Sequence, residues 1–306
     1  MRRERLKYGV IGAGSMGRHH IRIVSTLPGV QLTAVAEPND EQAKSVPDIL
    51  KKLIVKDYKE ILSKVDAISI VTPTATHLEI GLECLDAGKH LLIEKPLAIN
   101  SEQAQQLVDS AKEKNLILAV GLIERFNPAY KELGKLIKKE KIIGINIQRF
   151  SPFPDRITDA NVIQDMMIHD LDLLVNLLPK DEIEEIKAEG KKVQSKKLDR
   201  VSATIFFRSG IIAKVAADRV FGIKTRKISV TTEKDIIEAD LLNRRINIRD
   251  LQTHVPSVHH IKAYDQLTAE LKDFVSAIKN EARPAVDGLA GLKATKLAEE
   301  VESKCS

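Results

Sequence analysis

The chain has 306 residues, 43% hydrophobic and 30% charged, which is apolar enough for packed cores and long enough for two, so a disordered ground state is excluded. Its 48 Lys and Arg against 43 Asp and Glu leave a formal charge of +5. The basic residues are interspersed with acids, as in 135–141 and 187–200, rather than gathered on a stripe, and with no Trp and 4% aromatic residues base-stacking platforms are scarce, so no nucleic-acid partner is expected.

In chain order, the opening Met1-Arg2-Arg3-Glu4-Arg5 leads into a brief apolar stretch and then glycines, which does not read as an export signal. Residues 7–12, 31–36, 67–71, 90–94 and 117–121 read as short buried strands separated by amphipathic helices. In one helix Ala104, Leu107, Val108 and Ala111 fall at i, i+3, i+4 and i+7, behind a capping box of Asn100 and Gln103. This alternation predicts an α/β fold, a doubly wound parallel sheet of Rossmann type. From about residue 142 the period changes to two: Ile143, Ile145, Ile147; Val201, Ala203, Ile205, Phe207; Ile228, Val230; Ile246, Ile248. Two-faced strands of this kind build an open, mainly antiparallel sheet, interrupted by a helix over 164–178 and closed by helices over 265–279 and 289–302. The expected domains are 1–121, a Rossmann unit for NAD, and 122–306, an α+β unit for substrate and self-association. No apolar run reaches the roughly 18 residues of a membrane helix, so no membrane is expected. Cys84 and Cys305 are too few and too distant for a disulfide framework or zinc motif, which suggests a cytoplasmic setting.

Gly12-Ala13-Gly14-Ser15-Met16-Gly17 matches G-x-G-x-x-G. It follows a predicted strand and opens a helix with Met16, His20, Ile23, Val24 and Leu27 on one side. The first glycine permits the tight turn, the second lets the backbone approach a pyrophosphate, and the third allows close helix–strand packing. The helix N-terminus then offers N–H groups and a positive dipole end to the phosphates. Glu37, at the end of the second strand, stands where an acid accepts hydrogen bonds from ribose hydroxyls. No Arg follows in Pro38-Asn39-Asp40-Glu41 to receive a 2′-phosphate, so NAD is favoured over NADP. The alternative is a structural glycine turn with a surface Glu.

Two further strand ends carry unusual residues: Thr72-Pro73-Thr74-Ala75-Thr76-His77 and Glu94-Lys95-Pro96. Ligands in such sheets bind beyond the carboxyl ends of the strands. A Lys⁺ there would favour an alkoxide forming on a substrate hydroxyl as hydride leaves; equally, Lys95 could be a loop lysine paired with Glu94. With the glycine loop, these segments resemble the glucose–fructose oxidoreductase/inositol dehydrogenase (Gfo/Idh/MocA) family over nearly the whole chain. The resemblance implies an NAD(P)-dependent dehydrogenase acting on CH–OH groups, in which Lys95 reaches both nicotinamide and substrate. It implies cofactor contacts at Gly12, Gly14, Ser15, Met16, Gly17, Glu37, Thr72, Pro73, His77, Glu94 and Lys95, and a cis Lys95–Pro96 bond.

On the helix over 164–178, about 100° per residue brings Asp165, His169, Asp172 and Asn176 within about 60° of one another, opposite Met167, Leu171, Leu174 and Leu178. A carboxylate one turn from an imidazole can orient it as a general base; a solvated face with one histidine is the plain alternative. The family resemblance implies that Asp165 and His169 are catalytic with Lys95, with Asp172 holding a substrate hydroxyl or being structural. Glu124-Arg125-Phe126-Asn127-Pro128 resembles the branch of that family that oxidises the 3-hydroxyl of UDP-N-acetylglucosamine. Arg125 and Arg156, with Arg149, suit a sugar diphosphate because guanidinium forks bind its oxygens in pairs; salt bridges at the domain junction are the alternative. A free sugar or inositol as substrate, and a catalytically silent dinucleotide-binding regulator, remain as competing functions. His254, His259 and His260 are expected in a loop; their spacing matches no zinc pattern, and no metal is expected. One broad face of the second sheet is expected to join copies of the chain into a homodimer or homotetramer.

Overall fold

A computed structural model describes residues 5–153, 160–280 and 282–305. They form two compact units: Met1–Leu122 with Leu267–Lys293, and Ile123–Gln266 with Ala294–Ser306.

The first unit is built on six parallel strands, β1 (Leu6–Ile11), β2 (Val30–Ala36), β3 (Ile54–Val55), β4 (Ala67–Ile70), β5 (His90–Glu94) and β6 (Leu118–Gly121), in the order β3-β2-β1-β4-β5-β6. Helices α1 (Ser15–Val24), α2 (Asp40–Lys44), α3 (His77–Asp86) and α4 (Ser101–Glu113) make the crossovers. Strands sandwiched between helices have no polar face, and all four residues of β4 are buried. Strand order reverses between β1 and β4, which opens a crevice beyond their carboxyl ends. Ala104, Leu107, Val108 and Ala111 are the buried stripe of α4, and Asn100 caps it by accepting the Gln103 backbone N–H at 2.8 Å. The two-residue edge strand β3 has no counterpart in the sequence reading, because two residues define no period.

The second unit contains α5 (Pro128–Ile137), β7 (Ile142–Phe150), a π-helical turn (Ile163–Met167) continuing into α6 (Ile168–Leu177), and then β8 (Ile183–Lys191), β9 (Arg200–Phe207), β10 (Ile212–Asp218), β11 (Thr225–Thr232), β12 (Asp235–Asp240), β13 (Arg245–Asp250) and β14 (Pro256–His260). The sheet runs β14-β13-β12-β11-β7-β10-β9-β8, antiparallel except where β7 lies parallel to β10. Register lines up Ala203, Val215, Ile147, Ile228, Ala239 and Ile246 as one row across six strands, and every member is buried. Helices α5 and α6 contact this sheet at β12, β13 and β10. His259 and His260 belong to the edge strand β14 rather than to a loop, and both are exposed. Adjacent strand residues point to opposite faces, so the histidines diverge.

The chain then returns to the first unit through α7 (Gln266–Lys279) and the start of α8 (Gly288–Lys304). This differs from the expected division at 121/122. Phe274 meets Tyr8 edge-on with centroids 6.1 Å apart, and the Val120 N–H donates to the Val286 carbonyl at 3.1 Å. The sequence pattern places a helix over 265–279 but does not show which core it enters.

Candidate active site

The loop between β1 and α1 has the geometry its glycines suggest. Gly12 has φ +97°, and a Cβ there would stand 2.5 Å from the Val71 carbonyl oxygen. A Cβ on Gly17 would meet the Gly12 carbonyl oxygen at 2.1 Å, so the third glycine lets α1 press against the loop. Gly14 caps α1 without a side-chain bond, and the first turn carries no acid; its N–H groups remain suited to an anion. Ser15 and Met16 are exposed on that turn, so Met16 does not join the buried side formed by Gly17, His20, Ile21, Ile23 and Val24.

A cavity of about 500 Å³ lies beside this loop, lined by residues that include Gly12, Glu37, Asn39, Tyr58, Thr72 and Pro73. Glu37 is fixed by two backbone donors, Ala13 N–H to Oε2 at 2.7 Å and Asn39 N–H to Oε1 at 2.8 Å. Each carboxylate oxygen keeps a second acceptor site for a ribose hydroxyl. Loop, helix end, cavity and acid therefore fit a dinucleotide. Asn39, Gln42 and Tyr58 also line this cavity; they follow no fixed spacing from the glycines, so the motif does not point to them.

The structure gives His77 and Glu94 different surroundings from those expected. His77 is buried, with Nε2 3.0 Å from the Thr72 carbonyl and Nδ1 3.0 Å from the Pro96 carbonyl. It ties the two strand-end loops together, and burial holds its imidazole below the ordinary range. Glu94 turns inward: Oε1 lies 3.3 Å from His20 Nε2, and Oε2 accepts the Lys95 N–H at 3.2 Å. Neither residue needs the cofactor to account for its position. The half-exposed Lys95 follows at the end of β5, and its bond to Pro96 is cis.

In the second unit, the segment expected as one regular helix begins with a π turn. Asn161 caps it, accepting the N–H groups of Ile163 and Gln164 at 2.9 and 3.0 Å. Asp165 sits within the π turn and His169 in the first turn of α6; π turns of this kind recur at functional sites. The plain alternative, a solvated face, is not what the described residues of α6 form: His169, Asp170 and Asp172 are buried and only Asn176 is exposed.

Arg125 and Asp172, expected as separate substrate ligands, are paired with each other. Arg125 Nε donates to Asp172 Oδ2 at 2.7 Å and Nη2 to Oδ1 at 2.5 Å, while Nη1 reaches Asn176 at 2.8 Å. Burial raises the Asp172 carboxyl above its ordinary value, with Arg125 opposing. Arg149 is likewise internal: it forks onto Asp170 at 2.7–3.0 Å and reaches Glu124 at 2.9 Å, where Arg226 also arrives at 2.9 Å. Arg156 lies outside the described residues. The remaining residues of the Glu-Arg-Phe-Asn-Pro string have structural positions too: Phe126 is buried, Asn127 caps α5 through the Ala129 N–H at 3.0 Å, and Pro128 opens that helix. Among the described residues, His254, His259 and His260 form no metal-holding group; the candidate group is His20, Glu94 and Glu270.

Residues 6–122 match the family described as an oxidoreductase family with an NAD-binding Rossmann fold. A UDP-N-acetylglucosamine 3-dehydrogenase from Acidithiobacillus ferrooxidans is 34% identical over 299 residues, spanning 94% of this chain and 93% of the relative. A solved structure of that enzyme superposes with a TM-score of 0.90 at 32% identity and covers 98% of both chains. A myo-inositol 2-dehydrogenase from Thermotoga maritima is 27% identical, over 94% of this chain and 92% of the relative.

Proposed function

This chain belongs to the Gfo/Idh/MocA oxidoreductase family, and from that premise we propose that it transfers a hydride between NAD and the 3-hydroxyl of a UDP-linked N-acetylhexosamine. The observation that carries the reading is the 34% identity to a UDP-N-acetylglucosamine 3-dehydrogenase across 94% of the chain; the inositol dehydrogenase reaches 27%. It is an NAD-dependent dehydrogenase of CH–OH groups, and its substrate is a small molecule.

Gly12, Gly14, Gly17 and Glu37 would hold the dinucleotide, Ser15 and Met16 lie on the same turn, and Thr72 and Pro73 line the adjoining cavity. When bound, NAD supplies the acceptor for the hydride. The other steps fall to this chain's residues. His169 takes the proton from the substrate hydroxyl as the carbinol carbon gives up hydride with its bonding pair. The Lys95 ammonium stabilises the alkoxide that develops on the same oxygen. Asp165 steadies the His169 ring or the sugar. Arg125 and Asp172 act as one unit, presenting a guanidinium already oriented by its carboxylate. The first unit is thus the cofactor domain and the second the sugar domain, with the cytoplasm as the proposed compartment.

The test is a panel of UDP-sugars, inositols and free sugars followed by NADH absorbance. Reduction with UDP-N-acetylglucosamine and not with free polyols is expected; turnover of polyols alone would overturn the substrate assignment. Lys95→Ala and His169→Ala are each expected to lower kcat by about 10²–10⁴-fold, and unchanged turnover in either would remove that residue from the mechanism.

A further inference from the structure

Glu270 occupies the buried side of α7 together with Leu267, Leu271 and Phe274 and is 3% exposed. Neither of its carboxylate oxygens has a hydrogen-bond partner. Donor atoms of His20 on α1, Glu94 at the end of β5 and Glu270 all lie within 4.8 Å of one another. The other polar groups of the cluster each have a partner, and each Glu94 oxygen keeps a second acceptor site. The Tyr8 hydroxyl on β1 pairs with Ser69 Oγ on β4 at 2.7 Å, and Ser69 Oγ with His20 Nδ1 at 3.0 Å. His20 Nε2 lies 3.3 Å from Glu94 Oε1, and Glu94 Oε2 accepts the Lys95 N–H at 3.2 Å. Glu94 packs over Gly121, filling the space a side chain there would need, since a Cβ on Gly121 would lie 2.9 Å from its Cδ. Only Glu270 lacks a partner in this chain of contacts. An ionised carboxylate in that position would be dehydrated and unbonded, which burial does not tolerate.

We propose that Glu270 is a positioning residue for the hydride-transfer site: it stays a neutral carboxylic acid, and its O–H holds the Glu94 carboxylate against the backbone of Lys95. The contact runs directly or through one water across the short gap. It rests on the reading of Lys95 as the lysine that stabilises the alkoxide. The surroundings favour the proton over a metal ion, since both ring nitrogens of His20 and both oxygens of Glu94 already have hydrogen-bond partners. Burial, then the Glu94 charge, then Asp273 on the same helix push the Glu270 carboxyl well above its ordinary value. Burial, with a contribution from Glu270, also raises the Tyr8 hydroxyl, against the Ser69 bond. A neutral Glu270 leaves Glu94 as the one acid in the cluster beside the imidazole and the lysine backbone.

Infrared spectroscopy of the whole protein at neutral pH should show a protonated-carboxylic-acid carbonyl band that disappears in Glu270→Gln. In turnover of the proposed substrate, Glu270→Ala should lower kcat by about 10- to 100-fold with little change in KM, and the isosteric Glu270→Gln should recover most of that loss. Absence of the band from the wild type, a stoichiometric divalent metal in the purified protein, or a Gln variant as impaired as the Ala variant would overturn the proposal. If the Ala variant fails to fold, the wild-type and Gln spectra still decide the protonation state. If the wild type turns over none of the sugars, the functional reading fails, while the infrared band still reports on Glu270.

Discussion

Arg149 is buried between Asp170 and Glu124, and removing one partner of such a group leaves an uncompensated charge. Asp170→Ala is expected to cost about 3–5 kcal/mol in denaturant unfolding. A loss near zero would mean that Glu124 alone satisfies the guanidinium. Glu270 makes a second prediction, on pH. Its folded carboxyl holds a proton above the ordinary value of 4.5, so unfolding releases that proton whenever the pH lies between the ordinary and the folded value. Stability from this group is complete below the unfolded value and is lost as pH rises through the folded one, at up to about 1.4 kcal/mol per unit. The difference in Tm between Glu270→Gln and wild type should therefore move in favour of the variant from about pH 5 to about pH 8; a constant difference would contradict a raised carboxyl. At this scale residue type and spacing left the roles of Lys95, Asp165 and His169 open, and it is the family resemblance that makes them the proposed catalytic residues. The sequence did not reveal the pairing of Arg125 with Asp172, which depends on contact across 47 positions. An acid among the apolar positions of α7 was a visible signal for Glu270, but its neighbours His20 and Glu94 are far away in the chain.

The glycine loop separates packing from ligand approach. Gly17→Ala sets a Cβ against the Gly12 carbonyl at 2.1 Å and should lower Tm without any cofactor present, as well as weaken NAD binding. Gly14→Ala meets only the Gln42 side chain, at 3.3 Å. It should leave the Tm of the cofactor-free protein nearly unchanged and weaken NAD binding by about tenfold or more, through lost backbone approach. Differential scanning fluorimetry with and without NAD separates the two effects; equal Tm losses in both variants would assign Gly14 to packing as well. Five strands of the first sheet and this loop were legible because buried parallel strands read as continuous apolar runs and the motif has a fixed context. The π turn over Ile163–Met167 was not, because one extra residue in a turn leaves the hydrophobic period almost intact. The extra residue displaces Asp165 relative to the later positions, whereas His169 and Asp172 are buried because α6 is covered on every side from Ile168 to Leu174.

At the scale of the molecule, the reverse face of the second sheet carries a half-exposed row of Phe206, Ile212, Gly144, Thr231 and Ile236, aligned by register across five strands. This row supports the proposed self-association through that face. Light scattering should report a dimer or tetramer at micromolar concentration, and Ile212→Lys should shift it toward monomer; a monomeric wild type would contradict the proposal. The two-part architecture was legible from the change of period near residue 142, whereas the return of Leu267–Lys293 to the first unit was not. That return governs the order in which the protein can form during synthesis. Residues Met1–Leu122 leave the ribosome long before the segment that supplies Phe274 against Tyr8 and Gly288 and Gly291 against β6. Until then the nascent Rossmann sheet has an apolar side with no native cover, a condition that recruits chaperones and invites aggregation. Its long-range closure also predicts slow refolding, and a fragment ending at Leu122 should be recovered largely insoluble where the intact chain is not.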